Sequence, residues 1–108
     1  MKSILSLNDG NLVYRTIGKR HAETIFFCHS LGANQSLWDR QIEQLSDSYH
    51  IVSCDLRGHG ESDIFTTPYS IEIFARDILT LLDHLDIFSF HFVGLSLGSM
   101  IGLWLSSN

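Results

Sequence analysis

The chain has 108 residues, of which 44% are hydrophobic and 18% are charged, and its formal net charge is −5 at pH 7. This composition is typical of a folded globular protein rather than a disordered chain, and the length allows at most one domain with a modest core. Seven Lys and Arg residues do not make a basic surface, which argues against a nucleic-acid partner.

The predicted elements begin with two short strands joined by the turn sequence Asn8-Asp9-Gly10, which is typical of a hairpin. A continuous apolar strand follows, as in a buried parallel sheet. A helical spacing of apolar residues then predicts the first helix, and Ser70 is a suitable N-cap for the second. In chain order we predict strands at 3–7, 12–17 and 24–28, a helix at 35–45, a strand at 50–54, a helix from residue 70 to about 86, a strand at 90–93 and a helix at 97–105.

This order predicts the fold class. Strands that alternate with helices form a mostly parallel sheet with helices on both faces, and the opening hairpin adds an antiparallel edge. The last predicted helix runs to the end of the 108 residues, with no strand after it. The sequence therefore predicts an α/β protein.

The segment 88–108 differs from the rest of the chain, because it contains no Asp, Glu, Lys or Arg and has glycines at positions 94, 98 and 102. Such a segment resembles a membrane-spanning helix with a packing face. One histidine, five serines and a strand-like aromatic start favour a soluble strand and helix instead. Because the N-terminus lacks the apolar region of a secretory signal, we expect a cytoplasmic protein that does not bind membranes.

The sequence Gly94-Leu95-Ser96-Leu97-Gly98 matches the pattern G-x-S-x-G, between a predicted strand and a predicted helix. In this context the serine occupies a sharp, strained turn, and glycine two residues to either side avoids collisions. The turn exposes the serine hydroxyl at a helix N-terminus, where negative charge is favoured. The pattern predicts that Ser96 is a catalytic nucleophile, whereas a purely structural role for the two glycines is the alternative.

Three motifs together resemble the α/β-hydrolase superfamily: H-S-L-G at 29–32, D-L-R-G-H-G-E-S at 55–62 and G-L-S-L-G at 94–98. Within it, the intervening sequence is similar to 3-oxoadipate enol-lactonases, and haloperoxidase-like esterases share the same blocks. These blocks lie at 37–41, 68–72, 76–79, 82–87 and 91–93. Two positions depart from the pattern, since many relatives have glycine at Ser99 and some enol-lactonases have asparagine at His29.

The resemblance implies hydrolysis of a small-molecule ester or lactone without a metal or another cofactor. Ser96 would attack the carbonyl, and the backbone N–H groups of Leu31 and Leu97 would form the oxyanion hole. His29 and Gly32 would shape the loop that carries Leu31. Asp55 and Arg57 are expected to hold the second motif by charge-assisted hydrogen bonds, as part of the scaffold rather than of catalysis.

The superfamily places the acid and the histidine of the catalytic triad after the serine. Residues 97–108 contain neither, and all six histidines precede Ser96. We therefore expect residues 1–108 to be a partial domain, inactive alone, whose strand at 90–93 presents an uncovered apolar edge. His29 is a less favoured candidate for the base. A non-catalytic binding protein with the same fold is the alternative function.

The two cysteines follow neither a zinc pattern nor a disulfide framework, since they are 26 positions apart. The resemblance implies that Cys28 and Cys54 end neighbouring parallel strands. We therefore expect their Cα atoms to lie within disulfide-like distance, with both thiols reduced in the cytoplasm.

Overall fold

The computed structural model describes residues 2–108 and places five strands of this part of the chain in one sheet. The strands are β1 (Lys2–Ser6), β2 (Asn11–Gly18), β3 (Thr24–Cys28), β4 (His50–Cys54) and β5 (His91–Gly94). A 3₁₀ helix covers Gln35–Trp38, and the α-helices are α1 (Asp39–Leu45), α2 (Ile71–His84) and α3 (Leu97–Ser107).

The strand order in the sheet is β1-β2-β4-β3-β5. β2 is antiparallel to both of its neighbours, whereas β3 pairs in parallel with β4 and with β5. The predicted antiparallel hairpin and parallel strands are therefore confirmed. The carboxyl ends of β3, β4 and β5 meet at one edge of the sheet, and the loops that follow these strands carry the three sequence motifs.

Side chains of β3 alternate between two hydrophobic clusters, one on each face of the sheet. Phe26 and Cys28 belong to the larger cluster, to which α2 and α3 contribute buried residues. Ile25 and Phe27 belong to the smaller cluster, in which α1 contributes Ile42. The helices thus cover both faces, as the order of the elements predicts, and β3 is buried throughout.

All three predicted helices differ from their predicted bounds, α3 only in that it ends at Ser107 rather than at residue 105. The first begins as a 3₁₀ helix, because the side chain of Asn34 accepts the N–H of Ser36 and closes a tight first turn; α1 starts only after Trp38. The second has Ser70 as its N-cap, as predicted, with its hydroxyl accepting the N–H of Ile73. This helix ends at His84, and Asp86 has a left-handed φ of +58° that cannot continue it.

The two cysteines lie at the same level of adjacent strands. In the parallel register of β3 and β4, Phe27 is paired with Ser53. Cys28 and Cys54 are the next residues on these two strands. Both are free and buried, and burial raises the pKa of Cys28 to about 12 and that of Cys54 well above its usual range. The predicted neighbouring strand positions are confirmed, and the two thiols are not joined.

β5 is the edge strand on this side of the sheet, because β3 is its one neighbour among the described strands. Val93 on this strand and Leu103 on α3 are exposed. The uncovered apolar edge that the sequence predicts is therefore present. Segment 88–108 divides between β5 and α3, and within residues 2–108 no helix is long and apolar enough to cross a membrane.

Candidate active site

Ser96 lies in the bend between β5 and α3 and has φ +56° and ψ −110°. A residue with a side chain rarely adopts this conformation, which costs about 1–3 kcal/mol and persists only where the surrounding structure fixes it. The bend that the G-x-S-x-G pattern predicts is therefore present, and it leaves Ser96 exposed at the first turn of α3.

The two motif glycines allow α3 to pack directly on the strands. A Cβ atom on Gly94 would lie 2.5 Å from the carbonyl oxygen of Gly98, and one on Gly98 would collide with the carbonyl of Cys28. Both obstacles are backbone atoms, which cannot move aside as a flexible side chain can. These contacts explain physically why the motif needs glycine on both sides of the serine.

The loop after β3 lies beside this bend. Cys28 is paired with Gly94 in the register of β3 and β5, and the N–H of Leu95 donates to the Cys28 carbonyl at 3.3 Å. The loop then closes a turn in which Ala33 donates its N–H to the carbonyl of Ser30 at 3.1 Å, with Gly32 at φ +77°. A positive φ at the third residue but not at the second is that of a type II turn, and it favours glycine at the third position.

His29 is fully buried and connects this loop to the next one. Its Nε2 accepts the N–H of Leu56 at 3.0 Å, so Nδ1 carries the proton and donates to the carbonyl of Ser30 at 2.7 Å. Burial lowers the pKa of His29, which keeps the ring neutral as this pattern requires. Both ring nitrogens are occupied, so the ring has no free nitrogen with which to act as a base.

The hydrogen bond from His29 also orients the neighbouring amide. The carbonyl of Ser30 and the N–H of Leu31 belong to one planar trans peptide and point in opposite directions. Because the carbonyl is held by the buried ring, the N–H of Leu31 points away from it. Within residues 2–108, neither this N–H nor that of Leu97 donates to a backbone carbonyl, so both amides are available as donors.

The motif at 55–62 is held together by charged groups, as predicted. The carboxylate of Asp55 is buried and accepts the N–H groups of Gln35 at 2.8 Å and Glu61 at 2.9 Å. Arg57 forms a two-point ion pair with Asp77 of α2, at 2.6 and 2.8 Å, and the pKa of Arg57 is raised by these bonds. These contacts fix the motif to the 3₁₀ helix and to α2.

Two residues important for this arrangement were not predicted from the sequence. Gln35 is buried and its side chain links Ser53 and Arg15 beneath the loop, and Asp77 is the partner of Arg57. Asp77 carries a detectable signal, because it is a charged residue within the apolar face of a helix. Gln35 carries no such signal in the sequence, since a polar residue after a loop normally faces solvent.

The fold and the site define a class of protein. A model of the alpha/beta hydrolase fold family matches residues 23–108, and the chain belongs to this family. The chain is 39% identical over 105 residues to 3-oxoadipate enol-lactonase 2 of Acinetobacter baylyi, covering 97% of this chain and 39% of the relative. It is 29% identical over 99 residues to a non-heme chloroperoxidase of Streptomyces lividans, covering 91% of this chain and 36% of the relative.

A solved structure of the enol-lactonase from Burkholderia xenovorans LB400 superimposes with a TM-score of 0.92 at 37% identity, over 98% of this chain and 42% of that structure. The described sheet and helices therefore correspond to the N-terminal part of an α/β hydrolase. The chain spans about two fifths of the length of the relatives that it matches.

Proposed function

We propose that this chain supplies the nucleophile and the oxyanion hole of a serine hydrolase that acts on small carboxylic esters or lactones. The observation that carries the proposal is the conformation of Ser96, which has φ +56° at an exposed bend between a strand and a helix. Strain of this kind is typical of functional sites. The two free amides of Leu31 and Leu97, on adjacent loops, are the second part of the proposed site.

In the proposed reaction, the Oγ of Ser96 attacks the substrate carbonyl carbon, and the electron pair of the C=O bond moves onto the oxygen. The N–H groups of Leu31 and Leu97 stabilise this oxyanion, and the loss of one such donor typically costs about 3–4 kcal/mol. When the intermediate collapses, the bond between the carbonyl carbon and the leaving oxygen breaks. That oxygen takes up the proton released by Ser96, and water then hydrolyses the acyl-enzyme.

The proton transfer requires a general base. His29 has both nitrogens engaged, and residues 97–108 contain no histidine and no acidic residue. We therefore propose that the base and its orienting acid lie outside these 108 residues. It follows that the chain alone is expected to lack serine-dependent turnover.

The proposed substrate class follows the relatives. Similarity to enol-lactonases supports an unsaturated lactone such as 3-oxoadipate enol-lactone as the first substrate to test. Similarity to the chloroperoxidase supports a second candidate, a haloperoxidase-like esterase that hydrolyses simple esters. Both candidates use the same nucleophile and the same oxyanion hole.

The test compares the complete product of the gene with the 108-residue chain, using 3-oxoadipate enol-lactone and p-nitrophenyl acetate as substrates. We expect the complete product to hydrolyse at least one of them, and Ser96→Ala to lower kcat by at least about 10³-fold. Ser106→Ala, an exposed serine on the same helix, is the matched control and should retain full activity. A complete product that folds but hydrolyses neither substrate would favour a non-catalytic binding protein.

A further inference from the structure

Ser99 lies on the first turn of α3, three residues after Ser96, and its Oγ donates to the carbonyl of Gly94 at 2.9 Å. Helical serines commonly bond the carbonyl three or four residues earlier, as Ser106 does with Leu103 at 2.9 Å. Ser99 instead reaches five residues back, to the last residue of β5. Its hydroxyl therefore connects the end of the strand to the start of the helix across the bend.

The other carbonyls of the bend have backbone donors. Gly98 donates its N–H to the carbonyl of Leu95 at 3.0 Å, and Met100 donates to the carbonyl of Ser96 at 3.1 Å. The carbonyl of Gly94 accepts a hydrogen bond from the hydroxyl of Ser99. The bend is thus held by this side-chain hydrogen bond as well as by the two backbone hydrogen bonds.

We infer that Ser99 is a positioning residue for the nucleophile, an inference that rests on the proposed function. By holding the carbonyl of Gly94, its hydroxyl fixes the plane of the peptide that leads into Leu95 and Ser96. The direction of the Ser96 Oγ and of the Leu97 N–H depends on the same bend. Glycine or alanine at position 99 could not form this bond, because neither has a hydroxyl.

The experiment measures kcat and KM of the complete gene product, together with the rate at which a fluorophosphonate labels Ser96. Ser99→Ala removes the donor, and we expect kcat and the labelling rate to fall about two- to tenfold with KM unchanged. Ser99→Thr keeps a hydroxyl on the same carbon and should restore most of the loss. Ser106→Ala removes a similar serine–carbonyl hydrogen bond that is remote from the bend, and it should change neither kcat nor the labelling rate.

The outcomes separate this inference from the proposed function. If Ser99→Ala lowers only the melting temperature, or if Ser99→Thr is as impaired as Ser99→Ala, the positioning role is wrong while the hydrolase function stands. If the unmodified protein shows no labelling that depends on Ser96, the proposed function fails, and the positioning role fails with it.

Discussion

The packing of α3 on the end of β3 is tested by Gly98→Ala. In a helix, alanine is favoured over glycine by about 1 kcal/mol, so the change should stabilise the protein if space were available. The added Cβ would instead meet the backbone carbonyl of Cys28, which is also the acceptor for Leu95. Overpacking costs about 1–3 kcal/mol, and displacing that hydrogen bond costs about 1 kcal/mol more. We therefore expect a net loss of about 1–3 kcal/mol in the free energy of unfolding.

Gly102→Ala is the matched control on the same helix. Its Cβ would lie 2.8 Å from the ring of Phe92, a side chain that can move aside, so the helical preference for alanine offsets much of the cost. We expect its unfolding free energy to stay within about 1 kcal/mol of the unmodified chain. Urea unfolding of the 108-residue chain, followed by circular dichroism, measures both variants. Equal or greater stability of Gly98→Ala would refute the close backbone contact.

Three further predictions concern stability and association. Because burial lowers the pKa of His29, the unfolded chain binds a proton at this residue more readily than the folded chain does. The contribution of His29 to the free energy of unfolding should therefore be fully present above about pH 6.5 and should fall as the pH decreases below that value. In urea titrations between pH 7 and 5, His29→Asn should reduce this dependence on pH. Asp77→Asn removes the two-point ion pair of the buried Arg57 cation and leaves only the longer contact with Asp9 at 3.9 Å, so it should cost about 3 kcal/mol. Arg76→Gln, which breaks an exposed pair, should cost less than about 1 kcal/mol by the same measurement. Val93→Lys on the free edge of the sheet should reduce aggregation in light scattering, and unchanged scattering would show that this edge is not the site of association.

The sequence predicts most of the fold because its patterns are local. The strands at 24–28 and 50–54 have the predicted bounds, since short, mostly apolar runs bounded by polar loops have few alternatives. The helix predicted at 35–45 is divided, because the cap supplied by Asn34 tightens its first turn. Apolar periodicity does not distinguish a 3₁₀ start from an α-helical one.

The part of the candidate site that could be predicted from the sequence is the bend, because the G-x-S-x-G motif determines its backbone conformation. The strained bend at Ser96 and the need for glycine at position 94 follow from sterics within the five-residue motif, whereas glycine at position 98 is needed because of the Cys28 carbonyl on β3. The contacts of His29 with Leu56, and of Arg57 with Asp77, join residues that are 27 and 20 positions apart. Such partners depend on how the loops meet at the edge of the sheet, which local patterns do not specify.

The strained bend between β5 and α3 is expected to make Ser96 the nucleophile. The most direct measurement treats the complete gene product with a fluorophosphonate and locates the adduct by mass spectrometry of proteolytic peptides. We expect one adduct, on Ser96, and no adduct in the Ser96→Ala variant. A folded protein that carries no adduct, or carries it on another serine, would show that Ser96 is not the nucleophile.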